Sequence, residues 1–279
     1  MSAAGSAGAE IRISGVTKVF QQGDGAAVVA LDGIDLDIEP GELICLLGPS
    51  GCGKSTLLNA VAGFTLPTTG EIVADGRVVT GPGPDRGMVF QEYALFPWMT
   101  VRANVAFGLQ MRSAARKQID ETVVALLAKL RLSDFADRFP KDLSGGMRQR
   151  VAIARILALD SPILLMDEPF GALDALTRRN LQDELLRTWS ELRKTILFVT
   201  HGIEESIYLA DRIVVMTYRP GRVKAIIPVT LERPRDVTSA EFNDLKRHIS
   251  EMVMDEQRRH EEDEGRPQPS DSRATTVPR

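Results

Sequence analysis

Cysteine is nearly missing from this sequence. It occurs twice, as Cys45 and Cys52 in one short stretch, so no disulfide framework is expected and a reducing compartment suits the chain. Aromatic residues are scarce as well, at 5% against 43% hydrophobic residues in all. Leu, Val, Ile and Ala fill the difference, as in the aliphatic interior of a parallel sheet flanked by helices. A basic excess is also lacking: the formal net charge is −4, which argues against neutralising nucleic-acid phosphates as the main task and leaves room only for a local basic groove. No window approaches the roughly 18–20 uninterrupted apolar residues of a membrane-spanning helix; the longest candidates, 43–47 and 163–166, are strand-sized. Residues 1–9 lack the basic and apolar regions of an export signal. Residues 1–10 are therefore expected to form a flexible N-terminus, and any membrane association to run through a partner.

The remaining composition is enough for a full core, in one large domain or a domain with a lobe. Apolar runs of strand length recur at 42–47, 163–166 and 195–200; a helical pattern follows the first two and another precedes the third. Such alternation predicts an α/β domain with a parallel central sheet. The first helix is expected to start at Lys54 and stop at Gly63, because Leu57, Leu58 and Val61 share a face and glycine suits a C-terminal cap. Segments 11–20, 34–38 and 70–79 alternate like strands and predict an antiparallel side sheet. Over about 92–159 helix-forming segments dominate, notably 114–130 and 145–157, which reads as an inserted helical subdomain. Runs 212–217 and 222–229 bracket Arg219-Pro220-Gly221, a hairpin turn. The main domain is thus placed at 11–230. A helical extension over 231–255 follows, in which Phe242, Leu245, Ile249 and Val253 keep helical spacing, and the polar 256–279 is expected to be a disordered tail.

Gly48-Pro49-Ser50-Gly51-Cys52-Gly53-Lys54-Ser55 satisfies G-x-x-x-x-G-K-[ST] between a predicted strand and a predicted helix. Glycines let backbone N–H groups converge on phosphate oxygens, the helix N-terminus adds positive potential, Lys54 reaches the β/γ-phosphates and Ser55 ligates Mg²⁺. With Thr56, these residues are the candidate binding site for ATP or GTP. Ile163-Leu164-Leu165-Met166-Asp167-Glu168 delivers two carboxylates at a strand's C-terminal end, where α/β proteins place ligands. Asp167 is expected to hold Mg²⁺ and Glu168 to act as general base; capping the next helix is the plainer reading of such a pair.

Leu143-Ser144-Gly145-Gly146-Met147, just before that strand, resembles the signature motif of ABC-type ATPases. The resemblance spans about 11–227 and implies a P-loop NTPase core with antiparallel side sheet and helical subdomain. It implies ATP and Mg²⁺ as cofactors, and that Ser144, Gly145 and Gly146 bind the γ-phosphate held by a second copy of the chain. Ser144 could equally be a helix cap. Met147 departs from the common glutamine, as in some importer subfamilies, and is expected to tune that contact without disabling it. Gln91 resembles the Q-loop glutamine, which contacts Mg²⁺ or the attacking water. Asp174, in Gly171-Ala172-Leu173-Asp174, resembles the D-loop residue, with a helix N-cap as the companion reading. His201, one of three histidines, resembles the switch histidine that holds Glu168 in line, and Phe20 the aromatic that stacks on adenine, unless it is a core residue. Lys54, Gln91, Glu168 and His201 are thus the expected catalytic group, and Ser55, Gln91 and Asp167 the metal set.

Finer features, among them the Phe96-Pro97-Trp98 run and Arg219-Pro220-Gly221-Arg222, resemble the nitrate/sulfonate/taurine importer group. The resemblance implies a homodimer of ATPase subunits at the cytoplasmic face of the membrane. Integral-membrane permease subunits would be contacted near 91–101, and a periplasmic or extracellular solute-binding protein would be an indirect partner; no nucleic acid is expected. The alternatives are a soluble ABC-type ATPase acting on nucleic acid or ribosomes, an importer subunit for another substrate class, and a non-catalytic regulator. Cys52, inside the phosphate loop, is expected to block nucleotide entry when alkylated.

Overall fold

The computed structural model describes residues 8–21, 27–171 and 173–264. Strand β1 (Ile11–Gln21) pairs antiparallel with β2 (Ala27–Ile38), Ile11 opposite Ile38 and Ile13 opposite Leu36. Alternate residues of these strands are buried, the mark of a sheet covered on one face. Every residue of β3 (Leu43–Leu47) is buried, the pattern of a parallel strand covered on both faces. Helix α1 (Lys54–Ala62) follows and ends on Gly63, whose φ of 81° is left-handed. A Cβ there would fall 2.1 Å from Gly81 O, so glycine is required for space as well as for the cap.

The side sheet is completed by β4 (Thr69–Ala74) and β5 (Arg77–Val78), in the order β2-β1-β4-β5. Next come β6 (Arg86–Val89) and the lobe helices α2 (Val101–Met111), α3 (Arg116–Lys129) and α4 (Gly145–Ala158). The main sheet resumes with β7 (Ile163–Asp167), α5 (Ala175–Leu192), β8 (Thr195–Thr200), α6 (Ile203–Leu209), β9 (Arg212–Met216) and β10 (Val223–Pro228), and α7 (Ala240–Glu264) closes the described chain. Its strand order is β10-β9-β3-β8-β7-β6, parallel except for β10 at one edge.

Because side chains alternate along a strand, β3 feeds two cores. Leu43, Cys45 and Leu47 join the core shared with α4, α5 and the lobe, while Ile44 and Leu46 join one shared with α1 and the side sheet.

The structure departs from the sequence expectations in the side sheet, where 70–79 is the hairpin β4–β5 and β2 begins at Ala27 rather than 34, and at three further places. The parallel sheet holds β6 and β9 besides the three expected runs; in β6, Gly87 weakens the apolar pattern, and the glycine is there because a Cβ would meet Ile156 Cγ2 at 2.3 Å. The flexible N-terminus does not include residues 8–10, since Gly8 N donates to Arg193 O at 3.0 Å and Ala9 is buried. The C-terminal helix starts at Ala240 rather than 231 and runs to Glu264, past the expected tail boundary at 256. Polar bonds hold that last part. Glu256 is fully buried, pairs with Lys224 Nζ at 2.7 Å and accepts from Tyr218 N at 2.9 Å. The rest of the expected tail, 265–279, lies outside the described residues.

Candidate active site

Three neighbouring strands, β3, β8 and β7, end at one level. Leu47 pairs with Thr200 and Val199 with Asp167, so the loops after them, carrying the phosphate-loop motif, His201 and Asp167-Glu168, emerge side by side. This is where open α/β sheets bind ligands.

The loop after β3 owes its path to glycine. Gly51 and Gly53 have φ of 74° and 94°, and a Cβ on Gly53 would sit 2.9 Å from Ala30 O. Gly53 is the N-cap of α1 and offers no side-chain acceptor, which leaves the first N–H groups of the helix for an anion. Lys54 is buried beneath the loop, its Nζ donating to Gly48 O and Pro49 O, both at 2.8 Å. Ser55 Oγ donates to Asp167 Oδ1 at 2.9 Å. That hydroxyl and carboxylate form the hard-oxygen set that suits Mg²⁺. Burial raises the Asp167 carboxyl above its ordinary range; the Ser55 hydrogen bond and Lys54 pull it down, and Glu168 adds to the rise.

Glu168 leaves the strand at φ 43°, a left-handed conformation that costs a non-glycine residue energy and clusters at functional sites. Its N–H is held by Val199 O at 3.0 Å, and its Oε2 lies 3.1 Å from His201 Nδ1. The turn that carries His201 is held by its neighbours: Gly202 N donates to Thr200 Oγ1, which donates to Glu205, and Glu205 accepts from Gln182. Sequence reasoning missed this Thr200–Glu205–Gln182 support, because three unremarkable polar residues give no local signal.

Ser50, Gly51, Gly53, Lys54, Ser55 and Thr56 line a hollow of about 410 Å³ with Phe20, Glu168 and Arg219. Phe20 is 42% exposed, which corrects the core reading of that ring. Val89 of β6 pairs with Met166, and Gln91 is exposed in the loop that follows that strand, at the same end of the sheet as Asp167. Arg219 also faces the hollow; the turn that carries it was legible, its direction was not.

The signature residues lie elsewhere. Ser144 is the N-cap of α4, accepting from Met147 N at 3.3 Å, and is exposed. Gly146 is buried where a Cβ would meet Thr177 Cγ2 at 2.6 Å, so packing against α5 accounts for the second glycine. Asp174 caps α5 through Thr177 N at 3.0 Å, and that bond lowers its carboxyl. None of Ser144, Gly145, Gly146 and Asp174 lines the phosphate-loop hollow.

Cys52 is fully buried. Burial raises its thiol and the nearby Lys54, 3.7 Å from Sγ, only partly offsets this. A raised thiol holds less thiolate at neutral pH. Iodoacetamide is therefore expected to label Cys52 at least about tenfold more slowly at pH 7.5 than an exposed cysteine, with the rate still climbing above pH 9. Peptide mass spectrometry of a time course checks this, and labelling at the ordinary rate would count against the buried geometry.

A glycine-lined phosphate loop before a helix, paired carboxylates after a neighbouring strand and a histidine from the strand between them define a nucleoside-triphosphate hydrolase. The family model described as ABC transporter matches residues 31–171. An uncharacterised ABC transporter ATP-binding protein of Methanocaldococcus jannaschii is 49% identical over 88% of this chain and 92% of its own length. A taurine import ATP-binding protein of Roseobacter denitrificans is 51% identical over 76% of this chain and 80% of its own length. A nitrate import ATP-binding protein of Synechocystis is 47% identical over 82% and 87%. Among solved structures, the dimeric post-hydrolysis ATP-binding cassette MJ0796 bound to ADP and Pi superposes with a TM-score of 0.70, at 32% identity, covering 78% of this chain and 98% of that one. The chain belongs to the ABC transporter family, as an ATP-binding subunit that hydrolyses ATP.

Proposed function

We propose that this chain energises an importer for a small anion or zwitterion of the nitrate, aliphatic sulfonate or taurine kind, working as a pair of identical subunits. One observation carries the paired reading. Asp167 meets Ser55 of the phosphate loop, and Glu168, which lines the loop's hollow, meets His201, whereas Ser144 and Gly145 stand at the N-terminus of α4, line no part of that hollow, and Ser144, among the described residues, bonds only within its own helix start. A helix start with free N–H groups binds phosphate, and a second copy facing head to tail brings it there.

Within one site, Lys54 and the first N–H groups of α1 hold the β- and γ-phosphates, and Phe20 stacks on adenine. Ser55, Asp167 and Gln91 would hold Mg²⁺, which would supply charge neutralisation on the phosphate oxygens. Glu168 takes the proton of the attacking water, and His201 keeps the carboxylate in line. Asp174 relays between the copies. Met147 packs part-buried against the main core, so its change from the common glutamine acts beside Ser144 rather than on phosphate.

The segment 91–101 supports a permease contact. Trp98 is 70% exposed and its ring lies 5.7 Å from Phe96, with Phe90 and Phe64 also at the surface. Exposed aromatics of this kind anchor interfaces. No helix among the described residues is long and apolar enough to cross a membrane, so attachment at the cytoplasmic face through the permease completes the reading, with the solute-binding protein an indirect partner. The test is detergent purification of the tagged full chain from its own cells, followed by uptake assays with taurine, nitrate and an alkanesulfonate. An integral-membrane partner and uptake of one of the three are expected. Recovery on ribosomes or nucleic acid, with no membrane partner, sinks the proposal.

A further inference from the structure

Arg219 has no role in the site described so far, yet it lines the hollow of the phosphate loop. The hairpin between β9 and β10 is packed directly on that loop and on β2. Gly221 N donates to Ala30 O, and Gly221 O accepts from Asp32 N, both at 3.0 Å. A Cβ on Gly221 would fall 2.3 Å from Cys52 O, so only glycine allows this approach. Arg222 uses its charge on Asp32. Arg219 does not: among the described residues it forms no ion pair. Its nearest partners are Gly51 O, 3.4 Å from Nε, and the Tyr218 ring, 5.8 Å away. The guanidinium lies against the loop at Gly51, 3.4 Å from where a Cβ there would stand, while Lys54 Nζ is held by Gly48 O and Pro49 O.

We infer that Arg219 is a further phosphate-binding residue of the nucleotide site, and that Glu256 on α7 positions it. This rests on reading the hollow as the ATP site. A planar guanidinium offers two parallel N–H groups to non-bridging phosphate oxygens, and an arginine without a carboxylate partner keeps them available. The residue before it is gripped from behind: Tyr218 N donates to the buried Glu256, and the Tyr218 ring stacks on His260 with centroids 4.5 Å apart. Through that grip the C-terminal helix sets where the Arg219 side chain begins. Gly51 and Gly53 wrap the phosphates shared by ATP and ADP, so Arg219 contributes to both ligands.

The test measures binding of Mg-ATP and Mg-ADP to the full chain by displacement of a fluorescent ATP analogue. Arg219→Ala is expected to weaken both nucleotides roughly 5-fold at low salt. Arg219→Lys should recover part of the loss, and 0.5 M salt should narrow the gap. Arg219→Ala binding both nucleotides like wild type overturns the inference. So does normal binding with lost ATP-dependent pairing, which assigns the side chain to the partner copy. Failure of the wild type to bind either nucleotide strikes the ATP-site reading instead. For the positioning role, Glu256→Leu is made together with Lys224→Met, so that no lone buried charge remains. That double variant should weaken binding by a similar factor in the wild-type background and not at all beside Arg219→Ala. Equal weakening in both backgrounds overturns the positioning role, since a general structural effect does not depend on Arg219.

Discussion

Glu168→Gln is expected to lower turnover by at least about 10²-fold, the lower range for removing a positioned general base, while ATP still binds. Glutamine keeps the shape of the side chain and can still meet His201 Nδ1, which lies 3.1 Å from Glu168 Oε2. The phosphate-binding parts, Lys54 beneath the loop and the N-terminus of α1, are untouched. The variant therefore separates chemistry from binding. Its site should fill with ATP and fail to empty, so that ATP-dependent pairs persist on size-exclusion chromatography where wild-type pairs dissociate. Single-turnover hydrolysis with radiolabelled ATP gives the rate. A variant within tenfold of wild type would remove Glu168 from the role of base, and the left-handed backbone at this residue would need another explanation.

Much of this arrangement was legible because it is written in local patterns. The phosphate loop, the helix from Lys54 with its glycine stop, and the carboxylates at the end of an all-apolar strand each need only a few consecutive residues. The structure agrees with all three. The residues that escaped depend on contacts distant in sequence. Gly87 hides β6 because its requirement comes from Ile156, sixty-nine positions away in the lobe. Glu256 extends α7 because its partners are Lys224 and Tyr218. Hydrophobic periodicity ends at Val253, and a buried polar anchor has no period.

The same distinction explains the two residues whose character changed. The sequence places Cys52 inside the phosphate loop, where alkylation is expected to block nucleotide entry. Its thiol is instead turned inward against Lys54, and Gly48 leaves it room: a Cβ on Gly48 would lie 2.9 Å from Sγ. Phe20 reads equally as core or as a base-stacking ring. Which face of the twisted, bulged β1 it occupies depends on register shifts between Ile13 and Val19, and alternation counted along the sequence cannot follow a bulge.

Chains carrying Lys54→Ala and chains carrying Ser144→Arg should each be inactive alone and active when mixed. Lys54 lies under its own loop; Ser144 stands exposed at the start of α4 and does not line that loop's hollow. In a head-to-tail pair each site takes Lys54 from one copy and Ser144 from the other, so either change, made in both copies, damages both sites. In a mixed pair the two lesions fall in the same site, and the other site is whole. Random exchange makes about half of the pairs mixed, each with one intact site, so about a quarter of the wild-type rate is expected. Replacing Ser144 also removes a helix cap, a loss of about 1 kcal/mol, which a thermal melt of that variant measures separately. Differently tagged chains show by tandem pull-down that mixed pairs form. If they form and hydrolyse no faster than either parent, Ser144 does not act on its partner's nucleotide, and the site must be complete within a single chain.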